Sequence, residues 1–378
     1  MRAFKIEPLE RDFETAIQQK IDNLNKPKGS LGRLEELAMQ ICLVQQTLEP
    51  RLLHPCHLLL GGDHGIEREG VSATPRCVTW QQMVNFTRGG GGVNMFCRQH
   101  GFKLRIVDVG VDYDLASIVL SSPRREKSCS VLTSPQREVG ALFLDRKIAR
   151  GTRNFLYEPA MSEEELEQTI EVGVALADDC HREGCNILCI GEMGAANTSP
   201  SSIWMSLFCG IPLSECIGAG SGLDERGISH KQRVLEEAVK RFQSSEKTTT
   251  ATSCPSLMTA ETIRYFGGFE MVAAIGAMLR AAELRMLVMV DGFIMTACAL
   301  AACQLYPEAK EYMIFGHCGD ESGHRRMLDF LQAKPLLSLG LRLGEGTGAL
   351  CAYPIIDSAV RMINEMNNFR NANITKYF

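Results

Sequence analysis

The sequence predicts an α/β protein built around a mostly parallel sheet. From about residue 55, short apolar runs alternate with glycine-rich turns and then helical segments, the pattern of successive βα units. Four of these runs end beside an acidic residue close to glycine, where a buried strand would meet a ligand-facing loop. Apolar residues make up 45% of the chain and charged residues 22%, a balance that argues against a disordered or fibrous protein.

Taken in order, the elements begin with helices. Residues 10–25 are amphipathic, Pro27 and Gly29 then break the chain, and Ser30 is placed to cap a second helix over 31–46, with Arg33, Glu35 and Glu36 in its first turns. The first apolar run, 57–60, leads into Gly61-Gly62-Asp63-His64-Gly65, and the second, 104–107, into Asp108-Val109-Gly110. The third, 186–190, leads into Gly191-Glu192-Met193-Gly194, and the fourth, 287–290, into Asp291-Gly292. With the loop Gly344-Glu345-Gly346, these acids are expected to share one acidic crevice at the carboxyl edge of the sheet. Residues 119–150 and 240–256 read as long polar surface excursions, and 349–367 as a final helix before a polar tail.

Composition narrows the function. The 378 residues carry 40 Lys and Arg against 45 Asp and Glu, a net charge of −5, so no nucleic-acid partner is expected: neutralising phosphates needs clustered cations. The amino terminus is charged throughout, with no signal-peptide core. The most apolar stretch, 271–303, is interrupted by Arg280, Glu283, Arg285 and Asp291, so no membrane partner is expected and the cytoplasm is the expected location. The 15 cysteines include no CxxC pair and are expected as reduced thiols. His54-x-x-His57 and Cys185-x-x-x-Cys189 lack a second half, so no metal site is expected.

The glycine loops point to phosphate. Residues 344–349 satisfy the dinucleotide fingerprint on paper, but only about 30 residues follow, too few for the second strand and acid it needs. Neither a P-loop nor a G-x-S-x-G elbow is present. Residues 191–199 and 218–222 each offer unhindered backbone N–H groups near hydroxyls, suited to an anion. Lys231 can supply one ammonium for a monophosphate; the alternative is a solvated helix lysine. From residue chemistry alone, the reading stops at an α/β enzyme handling a sugar phosphate or nucleotide, with carboxylates as acid or base.

A longer set of motifs goes further. KPKGSLGRLE (26–35), GGDHGIEREGVSATP (61–75), VTWQQMVNFTRGG (78–90), VDVGVD (107–112), GTRNFLYEPAMS (151–162) and GEMGAANTS (191–199) stand in order. They are followed by GGFEMVAAIGAMLRAA (267–282), VDGFIMTACALAAC (290–303) and LRLGEGTGALCAYPI (341–355). In order and spacing this series resembles the nicotinate-nucleotide–dimethylbenzimidazole phosphoribosyltransferase family. The segment GHCGDESGHRR after Phe315 departs from the family's Ser-His-x-Ser-Ala-Glu-x-Gly, which weakens any assignment of Ser322 or His317.

The resemblance implies transfer of the phosphoribosyl group of nicotinate mononucleotide to 5,6-dimethylbenzimidazole, giving α-ribazole 5′-phosphate and nicotinate for the lower ligand of cobalamin. It implies no cofactor, and a homodimer. Glu345 falls on the family's general base, and Glu192, Thr74 and Gln82 fall around the aromatic base. Gly194, Asn197, Thr198 and Lys231 fall around the phosphate and ribose, while Trp80 is expected to add aromatic surface to the base pocket. The favoured architecture is a Rossmann-like sheet flanked by helices in a large α/β catalytic domain over 51–345. Residues 1–50 together with 346–378 would make a small helical domain from both chain ends. Two other readings keep the fold: a nicotinate mononucleotide hydrolase, and a non-catalytic nucleotide-binding protein. An intact apolar base pocket argues against the first, and retention of Glu345 against the second.

Overall fold

The structure, a computed structural model, describes residues 2–121, 141–246 and 255–377. Six parallel strands form one sheet: β1 Cys56–Gly62, β2 Lys103–Gly110, β3 Leu142–Asp145, β4 Ile187–Met193, β5 Leu287–Val290 and β6 Met313–Phe315. Their spatial order is β3-β2-β1-β4-β5-β6. Strand order reverses between β1 and β4, and an open parallel sheet binds ligands in the crevice above such a switch point. The register there pairs Leu60 with Glu192 and Gly61 with Met193.

Every residue of β1 and of β5 is buried, which is why these strands read as unbroken apolar runs. The four predicted runs lie in β1, β2, β4 and β5. The edge strands β3 and β6, with four and three residues, escaped sequence reading. β3 lies inside the expected 119–150 excursion, of which 122–140 falls outside the described residues.

Thirteen α-helices are described: α1 Glu14–Asn23, α2 Arg33–Gln45, α3 Cys77–Thr87, α4 Gly92–His100, α5 Leu115–Ser121, α6 Glu163–Arg182, α7 Thr198–Cys209, α8 Glu225–Glu246, α9 Pro255–Phe266, α10 Phe269–Glu283, α11 Phe293–Leu305, α12 His324–Phe330 and α13 Thr347–Glu365. The ends of α8 and α9 fall within the expected 240–256 excursion, whose centre, 247–254, lies outside the described residues. Nearly all of α10 is buried, packed between α6 and the sheet. The two helices approach through glycine, since a β-carbon on Gly173 would stand 2.0 Å from the Ala273 carbonyl oxygen. No described helix is long and apolar enough to cross a membrane.

The chain ends meet. α2 packs on α13, Asn25 N donates to Asn367 O at 2.8 Å, and Leu24 bridges Asn368. Ser30 does not cap α2. The helix starts two residues later than expected, behind Gly32 at φ +47, and the Glu35 carboxylate turns back to accept from Leu31 N at 2.9 Å.

Candidate active site

Above the switch point, the loops after β1, β4, β5 and β6 enclose one cleft. Thr74, Gln82, Glu192, Gly194, Asn197, Thr198 and Glu345 all line it. Lys231 lies just beneath: its ammonium donates to the Thr198 hydroxyl at 2.7 Å. All eight residues expected from the sequence therefore gather at one place.

The phosphate end is built from both glycine loops. After β4 the chain crosses the end of β1 so closely that a β-carbon on Gly194 would stand 2.5 Å from Gly62 O. It then enters α7, whose amino terminus begins at Thr198. On the other side stands Gly220, at φ +54, where a β-carbon would meet the Thr198 hydroxyl at 3.1 Å. Lys231 is not the solvated lysine of the alternative reading: α8 buries it to 1% exposure, and desolvation lowers its pKa to about 8. A buried ammonium beside a helix amino terminus is a site for an anion.

The opposite wall carries two carboxyls. Glu345 stands at φ +63 in the turn before α13, a conformation that side-chain-bearing residues rarely adopt. Its carbonyl accepts from His57 Nε2 at 3.0 Å, and burial lowers the His57 pKa to about 4, leaving a neutral imidazole N–H donor. Beyond it, Asp291 accepts from Gly346 N at 3.0 Å and Ala349 N at 2.9 Å, holding the start of α13. Burial raises the Glu345 carboxyl to about 7 against the weak donor Val93 N, 3.4 Å away.

Glu192 faces this turn, and a β-carbon on Gly344 would meet its Oε1 at 2.6 Å. Burial, then the negative charge of Glu270, raises Glu192 to about 8, while a hydrogen bond from Asn197 Nδ2 opposes the rise. Both carboxyls of this wall are thus held above the ordinary carboxylate range by burial, the kind of shift that clusters at functional sites.

The expected five-acid crevice needs correction. Asp63 and Asp108 do not line the cleft. Asp63 accepts from Asp112 N at 2.8 Å, and Asp108 accepts from Val111 N at 2.9 Å and pairs with Lys147 at 2.8 Å, so both brace loops. Asp291 does line it, but both its oxygens serve the backbone of α13. Trp80 is also misplaced by sequence reading: it stacks on Tyr113 at 4.4 Å, away from the cleft lining. His64 is structural, bonded to Glu270 at 2.6 Å with both side chains fully buried.

Sequence reasoning gave no part to His57 beyond a metal spacing, nor to Glu321 and Arg342, which line the cleft. Arg342 stood inside the quoted LRLGEG motif; Glu321 and His317 stood in the departing segment. His317 lines the cleft and lies 3.3 Å from Asp291. Among the described residues, no group of three or more His, Cys, Asp or Glu is arranged to hold a metal ion.

A family model described as a phosphoribosyltransferase matches residues 6–374. The chain is 55% identical, over the whole of both chains, to the nicotinate-nucleotide–dimethylbenzimidazole phosphoribosyltransferase of Bacteroides fragilis. It is 52% identical, again over both whole chains, to the enzyme of that name from Parabacteroides distasonis. Identity to the one from Dechloromonas aromatica is 41% over 99% of each chain. The fold matches the crystal structure of CobT from Thermus thermophilus with a TM-score of 0.83 at 31% identity, covering 97% of this chain and 100% of that one.

Proposed function

The chain belongs to the nicotinate-nucleotide–dimethylbenzimidazole phosphoribosyltransferase family, and on that premise we propose that Glu345 removes the proton of the incoming base while Lys231 and the α7 amino terminus hold the 5′-phosphate. The enzyme transfers the phosphoribosyl group of nicotinate mononucleotide to 5,6-dimethylbenzimidazole, releasing nicotinate and forming α-ribazole 5′-phosphate for the lower ligand of cobalamin.

The observation that carries the mechanism is the meeting, at one cleft, of a buried ammonium at a helix amino terminus and a carboxyl, carried on a braced backbone turn, that ionises near neutral pH. The unprotonated benzimidazole nitrogen attacks C1′ through its lone pair. The bond from C1′ to the pyridinium nitrogen breaks, and its electron pair leaves with neutral-ring nicotinate, so the leaving group needs no acid. Attack from the opposite face turns the β-glycosidic bond into an α one. The other ring nitrogen becomes acidic as the new bond forms, and the Glu345 carboxylate takes its proton, a step worth roughly 10²–10⁴-fold.

Glu192, protonated at neutral pH, orients the base by hydrogen bonding without adding a second negative charge. Thr74 and Gln82 flank the base, and Gly194 and Asn197 shape the ribose end. The relatives are named as transferases, which gives the hydrolase and binding-protein readings no support.

Residues 51–345 act as the catalytic domain, and 1–50 with 346–378 as a small helical domain; the contact of α2 with α13 and the Leu24–Asn368 bridge support that division. We place the enzyme in the cytoplasm as a homodimer, and Leu343 at the cleft and Leu339 four residues before it, 63% and 58% exposed, provide apolar surface for pairing.

The test is to incubate purified protein with nicotinate mononucleotide, with and without dimethylbenzimidazole, and separate the products by chromatography. Nicotinate release that requires the base and yields α-ribazole phosphate is the expected result. Release independent of the base would overturn the transferase mechanism in favour of hydrolysis.

A further inference from the structure

At the amino end of the sheet, across from the cleft, Cys56 opens β1 and Cys180 lies in the last turn of α6. Their sulfurs stand 3.3 Å apart, with the residues only 2% and 1% exposed. Next to them is Arg105 of β2, its side chain 2% exposed. One end of its guanidinium pairs with Glu183 at 2.7 Å, while its Nε has no hydrogen-bond partner among the described residues. An unpaired buried N–H on a cation is costly, and it is relieved by a negative group beside it. Glu183 supplies one such group, and ionisation of a neighbouring thiol would supply a second.

The surroundings favour one sulfur. The hydrogen bond from Cys180 lowers the Cys56 thiol and Arg105 adds to the effect, whereas the same bond and burial raise Cys180. Cys180 Sγ donates to Cys56 Sγ, which in turn donates to Lys103 O at 3.3 Å, so two thiols in contact stand near a buried cation, the arrangement of an oxidisable cysteine with a resolving partner. The surface is close: Glu183 and Lys103, each 46% exposed and joined at 2.6 Å, link Arg105 to solvent.

We propose that Cys56 and Cys180 form an oxidisable pair that closes to an internal disulfide when the protein meets a hydroperoxide, with Cys56 as nucleophile and Cys180 as resolving thiol. The Cys56 thiolate attacks one peroxide oxygen and the O–O bond breaks. With one proton taken up, this gives Cys56 sulfenic acid and, from hydrogen peroxide, one water. The Cys180 sulfur then displaces the sulfenic oxygen, which leaves as a second water with the Cys180 proton. Two thiols and one peroxide become one disulfide and two waters. Closure shortens the 3.3 Å separation to the roughly 2.05 Å of a disulfide bond, a side-chain movement within packed elements.

The experiment treats the full chain with hydrogen peroxide, blocks remaining thiols by alkylation, and maps cysteines by peptide mass spectrometry. The exposed Cys77 serves as an internal reference. The expected product is a Cys56–Cys180 linked peptide that dithiothreitol releases, and Cys180→Ser should leave Cys56 trapped as sulfenic acid by dimedone. Arg105→Gln should slow closure by about tenfold, because the thiolate loses its cation. Free Cys56 and Cys180 in protein whose Cys77 is oxidised would overturn the proposal. So would linkage of Cys56 to Cys185 instead, or closure at the wild-type rate in folded Arg105→Gln protein.

Discussion

The backbone of Glu345 rests on the α-carbon of Gly191: a β-carbon there would stand 2.3 Å from the Glu345 carbonyl oxygen and 2.5 Å from Gly346 N. The carboxyl end of β4 and the last glycine loop are therefore pressed together, and Glu192 and Glu345 face the same cleft. Glu345 sits in a left-handed conformation that costs on the order of 1–3 kcal/mol and persists where its surroundings over-determine it. Gly191, His57 and Asp291 are those surroundings, acting on the carbonyl and on the two amides that begin α13.

Gly191→Ala should cost about 1–3 kcal/mol of stability, since the methyl must displace backbone rather than a flexible side chain. The larger effect should fall on kcat, because moving a reacting group by about 1 Å can cost on the order of 10²-fold. Thermal unfolding and steady-state kinetics on the same variant check this. Wild-type kcat would show that the turn tolerates the shift.

Asp291→Ala leaves Gly346 N and Ala349 N without their acceptor inside the protein. Loss of about 3 kcal/mol is expected, because two buried donors lose their partner. The variant's kcat should fall with it, as α13 no longer fixes Glu345. Denaturant unfolding measures the first effect, and turnover of the still-folded protein at low temperature measures the second.

The kcat/KM profile should be bell-shaped. The acid limb rises as Glu345 ionises near pH 7, and the alkaline limb falls as Glu192 loses its proton near pH 8. Glu345→Gln should lower kcat by about 10²-fold or more and remove the acid limb, with nucleotide binding little changed. Glu192→Gln should remove the alkaline limb from kcat, while kcat/KM still falls near pH 8 as Lys231 loses the charge that holds the phosphate. A profile with both limbs intact in Glu345→Gln would assign the base elsewhere.

What the sequence made legible follows from how far each signal reaches along the chain. β1 and β5, buried on both faces, announce themselves as apolar runs, while the three residues of β6 are too few to show a period. Asp63, Asp108 and Glu192 share one local pattern, an acid after an apolar run beside glycine. Only Glu192 lines the cleft, because position relative to the β1–β4 switch depends on strand order, which no local window contains. His57 and Glu345 lie 288 residues apart, so their hydrogen bond leaves no local mark. Lys231 was legible as a phosphate ligand by resemblance. Its burial was not, since α8 is otherwise mostly polar and only packing reveals which turn faces inward.

That burial makes Lys231 the most direct test of the phosphate site. Its folded pKa of about 8 lies below the 10.5 usual for a lysine in water. At pH 7 the ammonium is charged in both folded and unfolded chains, so the full desolvation cost, on the order of 3 kcal/mol, opposes folding. As pH rises through about 8 the folded lysine releases its proton first, the unfolded chain binds more protons, and this site's penalty shrinks until the unfolded lysine titrates too. A bound phosphate removes the same penalty at pH 7 by pairing with the charge. Lys231→Met should therefore raise the unfolding temperature of the ligand-free enzyme at pH 7 and raise KM for nicotinate mononucleotide by about 10–100-fold. Nicotinate mononucleotide should raise the wild-type unfolding temperature and leave that of the variant nearly unmoved. If instead the variant unfolds earlier than wild type at pH 7, the buried ammonium is already paired within the protein, and its place at the phosphate site is lost.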